Sequence, residues 1–185
     1  SGQIGPLGQM TSFDELAGLA QNMGQMGMAR GTQDVSTFTQ NFRKMLDSVK
    51  HIAKEMGSSL KEAQQTMAGM RNSGLMHSVD QKAMASEMRH YGLGGNIAMP
   101  ELTQMAGIGS RIARAVGGRG SHGAFGGVRT LGNIGLAMES GVISEEDVYN
   151  TTGMHGAEGR QALAASQMQH SAAWLRSGTE SDRKS

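Results

Sequence analysis

Four sets of residues in this chain have types and spacings that can do chemistry. Glu139 stands before Ser140 and Gly141, with Gly156-Ala157-Glu158-Gly159 further on. A single carboxyl there can act as general acid and then base if burial raises its pKa. The competing role is a glutamate at a helix C-terminus before a glycine cap. Six histidines (51, 77, 90, 122, 155 and 170) are potential metal ligands. None is spaced so as to gather ligands on one helix face, which implies no metal site. Residues 105–138 hold ten glycines and four arginines, with no acid between Glu101 and Glu139. The glycines lack a Gly-Lys-Ser/Thr ending and follow no strand, so they do not form a phosphate loop. The arginines, Arg111, Arg114, Arg119 and Arg129, form a local run of positive charge without acids and are the candidate contacts to DNA, lipid or another subunit. Gly123 and Gly127, four residues apart, allow close helix packing.

Two of these sets resemble known motifs. Glu139-Ser140 followed by a Gly-Ala-x-Gly run is similar to the catalytic segment of lytic transglycosylases, which implies Glu139 as the acid. The spacing is several residues longer than in that family, and Arg160-Gln161 stand where Leu-Met-Gln would follow. Residues 144–163 resemble a helix-turn-helix around Gly153, which would carry Arg160 into a major groove. Tyr149 occupies a position that needs a small residue, and Gly159 one that needs a branched apolar residue. Glu145, Glu146, Asp147 and Glu158 would also repel phosphate.

The elements that must position these residues are helices. Apolar residues make up 37% of the 185 positions and aromatics 4%, so a core has to come from Ala, Leu, Ile, Val and the 16 methionines. The length suits one domain or two small ones. A net charge of +1 gives no global attraction to nucleic acid or anionic lipid. No cysteine is present, which excludes disulfides and thiolate metal sites. No stretch reaches the ~18 consecutive apolar residues of a membrane-spanning helix. The chain opens on Ser-Gly-Gln and not Met, as a fragment or a processed product would.

Residues 1–10 read as a Gly/Pro linker. Residues 11–92 form an N-terminal helical part, beginning with a Ser12/Glu15 capping box and a helix over 13–29. The clearest stripe runs over 34–56 and ends at Gly57, with Arg43, Lys44, Lys50 and Lys54 on its solvated side. Capping boxes at Ser59/Glu62 and Ser78/Gln81 open helices that end at Gly74 and Gly92. Residues 93–177 form a C-terminal part. Pro100 begins a helix to 116, an exposed loop covers 117–122, and a second helix over 123–140 completes a basic, glycine-rich hairpin. A short helix from Ser144 stops at Gly153, and a last one spans 157–177 before a disordered tail, 178–185. Nothing alternates with period two, so the expected fold is all-α, a bundle of about seven or eight helices with short Gly-terminated loops.

Three stretches carry a wider likeness: Gly-Leu-Gly-Gly-Asn-Ile (92–97), Leu-Ala-Met-Glu-Ser-Gly-Val-Ile-Ser-Glu-Glu (136–146) and Gly-Ala-Glu-Gly-Arg-Gln-Ala-Leu-Ala-Ala (156–165). With the abundant Gly and Met around them, over about residues 55–175, they resemble bacteriophage tail tape measure proteins and internal virion (ejection) proteins. The resemblance implies a non-enzymatic structural component of a virion, held in the tail or capsid interior and involved in genome delivery. It implies as partners the chain itself and other virion proteins, with the DNA backbone or the host membrane as contacts during ejection. No cofactor and no small-molecule substrate are expected.

Overall fold

The computed structural model describes residues 35–182, together with Gly18 and Gln21, which are helical. The linker over 1–10 and the capping box at Ser12 lie outside the described residues, as do the last three residues and, apart from those two positions, the helix over 13–29. Seven helices make up the described part: α1 Val35–Met56, α2 Leu60–Asn72, α3 Ser78–Gly94, α4 Met99–Ala115, α5 Gly120–Glu139, α6 Glu145–Thr152 and α7 Gly156–Asp182. No strand occurs among the described residues. The protein is all-α.

Local signals set most of the boundaries. Ser59 and Glu62 exchange backbone-to-side-chain hydrogen bonds of 3.2 Å each, the reciprocal box that starts α2. Ser144 and Asp147 do the same at α6. At Gly57, Gly74, Gly117 and Gly141 the backbone turns left-handed. There the N–H groups past each helix bond back into its last turn, for example Ser58 to Ala53 at 3.0 Å and Leu75 to Met70 at 2.9 Å. This is the Schellman ending, and it explains why the loops are short.

Some boundaries depart from the sequence reading. α3 starts with His77 as the residue that accepts from the Gln81 N–H, and Gln81 is buried, so Ser78 lies inside the helix. It also runs past Gly92 to Gly94, because Gly92 is a packing position. A Cβ there would lie 2.6 Å from the Met99 methyl. The turn comes instead at Asn96, the only described non-glycine residue with positive φ. α5 begins at Gly120, so the exposed loop expected over 117–122 shrinks to the few residues before it, and Ser121 and His122 join the first turn. α7 continues through Gly178 to Asp182, into the stretch expected to be a disordered tail. One glycine costs a helix only about 1 kcal/mol and does not by itself end it.

The chain divides into two compact units. Of the described residues, one comprises those up to Ala68 together with Met76–Ala85; the other comprises Gly69–Leu75 and those from Ser86 onward. The division therefore cuts through α2 and α3 and not at the glycine-rich connection after residue 92. That connection is not a hinge, because Gly95 and Ile97 are buried. In the first unit the core is Met45, Val49, Ile52, Leu60, Met67 and Met84, all at most 1% exposed. In the second it is Met70, Leu75, Met88, Leu102, Met105, Val128 and Leu131, also fully buried. Methionine thus fills the role that aromatics have in most cores. In the second unit α4 packs along α5, α7 lies against both, and α6 packs on α7.

Candidate functional site

The α4–α5 hairpin is built on backbone contact. A Cβ at Gly109 would fall on the Gly123 carbonyl oxygen and within 3.0 Å of the Gly127 Cα. Reciprocally, one at Gly123 would fall on the Gly109 carbonyl, and one at Gly127 on that of Met105. The Cα hydrogens that glycine carries there point at carbonyl oxygens across the crossing, an arrangement that recurs between helices. The face bearing Gly123 and Gly127 is therefore occupied inside this chain. Gly117, four residues after Ala113, is by contrast a helix stop with open space around it. Further along α5, Gly132 lies against the Tyr91 ring and Gly135 against Ile97.

The same hairpin positions the arginines, and it does not bring all four together. Arg111 and Arg114 lie at the end of α4, beside a cleft of about 570 Å³ that also involves Asn72, Ser73 and Gln104. The cleft is fixed by the buried Ser110 hydroxyl, which donates to the Ser73 carbonyl at 2.8 Å. Arg119 is the N-cap residue of α5 and caps nothing with its side chain. With His122 it rims a groove of about 630 Å³ whose walls include Ile112, Val116, Gly126 and Met168. All three arginines are exposed and none has an ion-pair or hydrogen-bond partner among the described residues. Arg129 belongs elsewhere. Its Nη2 and Nε lie 2.6 and 3.0 Å from the Glu87 carboxylate, with the guanidinium 5.4 Å from the Phe125 ring centre. That hydrogen bond raises the Arg129 pKa, so this charge is committed within the unit.

The charges at the two ends of α5 run against its dipole. Its first turn has no acid and its last turn no base, while Arg119 stands at the start and Glu139 at the end. Each such charge costs an exposed helix roughly 0.3–1 kcal/mol. They are not there to hold the helix.

Glu139 is exposed, as is Glu158. Ser140 and Gly141 after it form the α5 stop, with Gly141 at φ 78°. The burial that would keep a carboxyl protonated for acid catalysis is missing there. Residues 144–163 do form helix, turn and helix around Gly153, but Arg160 does not project for a groove. Its Nε and Nη2 bond the two oxygens of Glu101 at 2.9 and 3.0 Å, and the Glu101 side chain is only 7% exposed. The pairing raises the Arg160 pKa and outweighs burial, which lowers it. Gly159 takes the anchor position by close approach, since a Cβ would meet the Met154 carbonyl. Tyr149 remains half exposed and stacks on His155 with ring centres 4.1 Å apart.

Comparison with known proteins finds no relative. No family model matches the chain, and neither a curated protein nor a solved structure does. The surface itself is what points to function. Among the described residues no three His, Asp or Glu side chains converge as metal ligands, and no helix is long and apolar enough to cross a membrane.

Sequence reasoning missed Glu87 and Glu101, the acids that claim Arg129 and Arg160. They lie 42 and 59 residues from their partners, so no local spacing signals them. It also missed the groove, whose wall from α7 is visible only in the fold.

Proposed function

We propose that this chain is a non-enzymatic helical assembly element of a bacteriophage virion, of the tape measure or ejection type. The observation that carries the reading is the basic end of the hairpin. Arg111, Arg114 and Arg119 are exposed and have no partners among the described residues; Arg111 and Arg114 line one cleft, and Arg119 rims a separate, largely apolar groove. A surface that combines unpaired cations with apolar walls suits a macromolecular partner, as interfaces mix an apolar centre with a charged rim. The methionine core supports it as well, because flexible thioether side chains let helices repack when a particle changes state. In this reading the partners are copies of the chain and neighbouring virion proteins, and the place is the tail or capsid interior. Mass spectrometry of purified virions tests it: peptides of this chain are expected at a fixed stoichiometry to the tail or capsid proteins. Their absence from the particles would refute it.

Contact of the same cations with DNA phosphate is the second reading, favoured by their lack of acidic partners. It predicts salt-dependent binding to duplex DNA that weakens when Arg111, Arg114 and Arg119 are replaced by Gln. Arg129→Gln should leave that binding unchanged, since Glu87 already neutralises this side chain.

A further inference from the structure

The second unit carries two exposed surfaces of opposite charge, one at each end of α5. At its N-terminal end is the groove walled by Ile112, Val116 and Met168 and rimmed by Arg119 and His122. At its C-terminal end are Glu139, the turn that follows, and α6 with Glu145, Glu146 and Asp147. This acidic corner also exposes apolar residues: Val142 is 77% exposed, Met154 45% and Tyr149 43%. From residue 102 to 138 the chain has four arginines and no acid; from 139 to 159 it has acids and no lysine or arginine. The charge segregation read along the sequence is therefore a segregation in space.

The two surfaces cannot satisfy each other within one molecule. A helix of 20 residues is about 30 Å long, and they sit at its opposite ends. The charges at both ends of α5 oppose its dipole, so local stability does not account for either. DNA would use the arginines but leave the apolar groove walls and the acidic corner unexplained, and that corner would repel phosphate. A second copy of the chain uses all four features at once, placing acids against Arg119 and exposed Val142 and Met154 against apolar walls.

We propose that copies of this chain associate head to tail, the acidic corner of one entering the arginine-rimmed groove of the next. The inference rests on the reading of the chain as an assembly element and names the partner at its basic end. Because the contact joins different surfaces, it does not close as a two-fold dimer. It propagates into a ring or a filament, depending on the rotation per step.

The test is sedimentation of the full chain over a range of concentrations and salt. Association is expected to grow with concentration and to weaken in about 1 M salt, where charges are screened beyond about 3 Å. Two double variants separate the surfaces: Arg119→Glu with His122→Glu, and Glu139→Lys with Glu146→Lys. Three of these four changes agree with the dipole of the helix end they occupy, so both variants should fold, and their thermal unfolding is measured alongside. Each alone should drop at least about tenfold in association constant, as expected for reversed charges facing like charges. Mixed together they should regain association, since the native corner of one meets the native groove of the other and the two reversed surfaces are again opposite in charge. Concentration-dependent NMR shifts of the unaltered chain, expected only in the groove and the acidic corner, give a readout that needs no variant.

A wild-type chain that stays monomeric at every concentration would overturn the proposal, including one that instead binds duplex DNA or anionic vesicles through Arg119. So would variants that associate like wild type, or a mixture that does not combine. These outcomes are independent of the particle test: a chain missing from virions can still self-associate, and a virion component can prove monomeric in isolation.

Discussion

Replacing Gly107 and Gly109 by alanine, one at a time, should move stability in opposite directions although they lie two residues apart on α4. Alanine gains about 1 kcal/mol over glycine in a helix interior, and that gain is the same at both sites. At Gly107 a Cβ meets the Arg111 guanidinium at 3.7 Å and the Ser73 hydroxyl at 3.9 Å, ordinary van der Waals distances, so the gain should survive. At Gly109 the Cβ falls on the Gly123 carbonyl oxygen and sits 3.0 Å from the Gly127 Cα. Both obstacles are backbone, which cannot rotate aside, so α4 and α5 must separate. Overpacking of this kind costs about 1–3 kcal/mol, and each broken Cα–H···O hydrogen bond adds about 0.5–1. The net expectation is a destabilisation of about 2 kcal/mol at Gly109 against a gain of up to about 1 at Gly107. For a chain of this size, that separation of about 3 kcal/mol corresponds to roughly 6–12 °C in Tm. Thermal unfolding followed by circular dichroism measures it. Equal Tm values for the two variants, or a more stable Gly109→Ala, would show that the helices are not in backbone contact. Adding Gly123→Ala to Gly109→Ala should cost less than Gly123→Ala alone, because the first change has already opened the crossing.

The two long-range ion pairs should differ in worth. Glu101→Gln strands an Arg160 side chain that is only 22% exposed and should cost about 3 kcal/mol, whereas Glu87→Gln at the exposed Arg129 pair should cost at most about 1, both read from denaturant midpoints. The α6 cap should be acid-labile. The Ser144 amide and hydroxyl hold the Asp147 carboxyl below its usual 3.8, so the stabilisation is complete above that value and is lost as pH falls through the lower folded pKa. Ser144→Ala should return the Asp147 titration, followed by NMR, toward 3.8. The wild-type chain should release no soluble fragments from peptidoglycan, because Glu139 is exposed at a helix end. Release that Glu139→Gln abolishes would reinstate the transglycosylase reading.

How much of the fold and of the site was legible in the sequence depends on the range over which each feature is determined. Caps and stops are decided within five residues, and Ser59/Glu62, Ser144/Asp147, Gly57, Gly74 and Gly141 all sit where the pattern places them. Gly92 and Gly117 show the limit of that reasoning. Glycine serves both as a helix stop and as a gap for a neighbouring group, and the sequence does not say which. At Gly117 the first use applies; at Gly92, where a Cβ would strike Met99, the second. What separates them is the identity of the neighbour, which is tertiary information. Arg129 and Arg160 obey the same limit, since an arginine reads as free until its carboxylate is found in space.

The hairpin that concentrated the glycines and arginines therefore divides its residues between two tasks. Gly109, Gly123 and Gly127 are consumed in holding α4 to α5, and Arg129 in holding α5 to Glu87 of α3. Taking those away leaves Arg111, Arg114, Arg119 and His122 at one end and Glu139 at the other. Of these, Arg114 has a local use as a base in the last turn of α4, where it complements the dipole. Arg119 and Glu139 have none, since each opposes the dipole of α5. In the head-to-tail association proposed above, these charges would find their compensation in contacts with a second copy. Here the positive set lies beside an apolar groove and the negative set beside exposed valine and methionine, about one helix length apart.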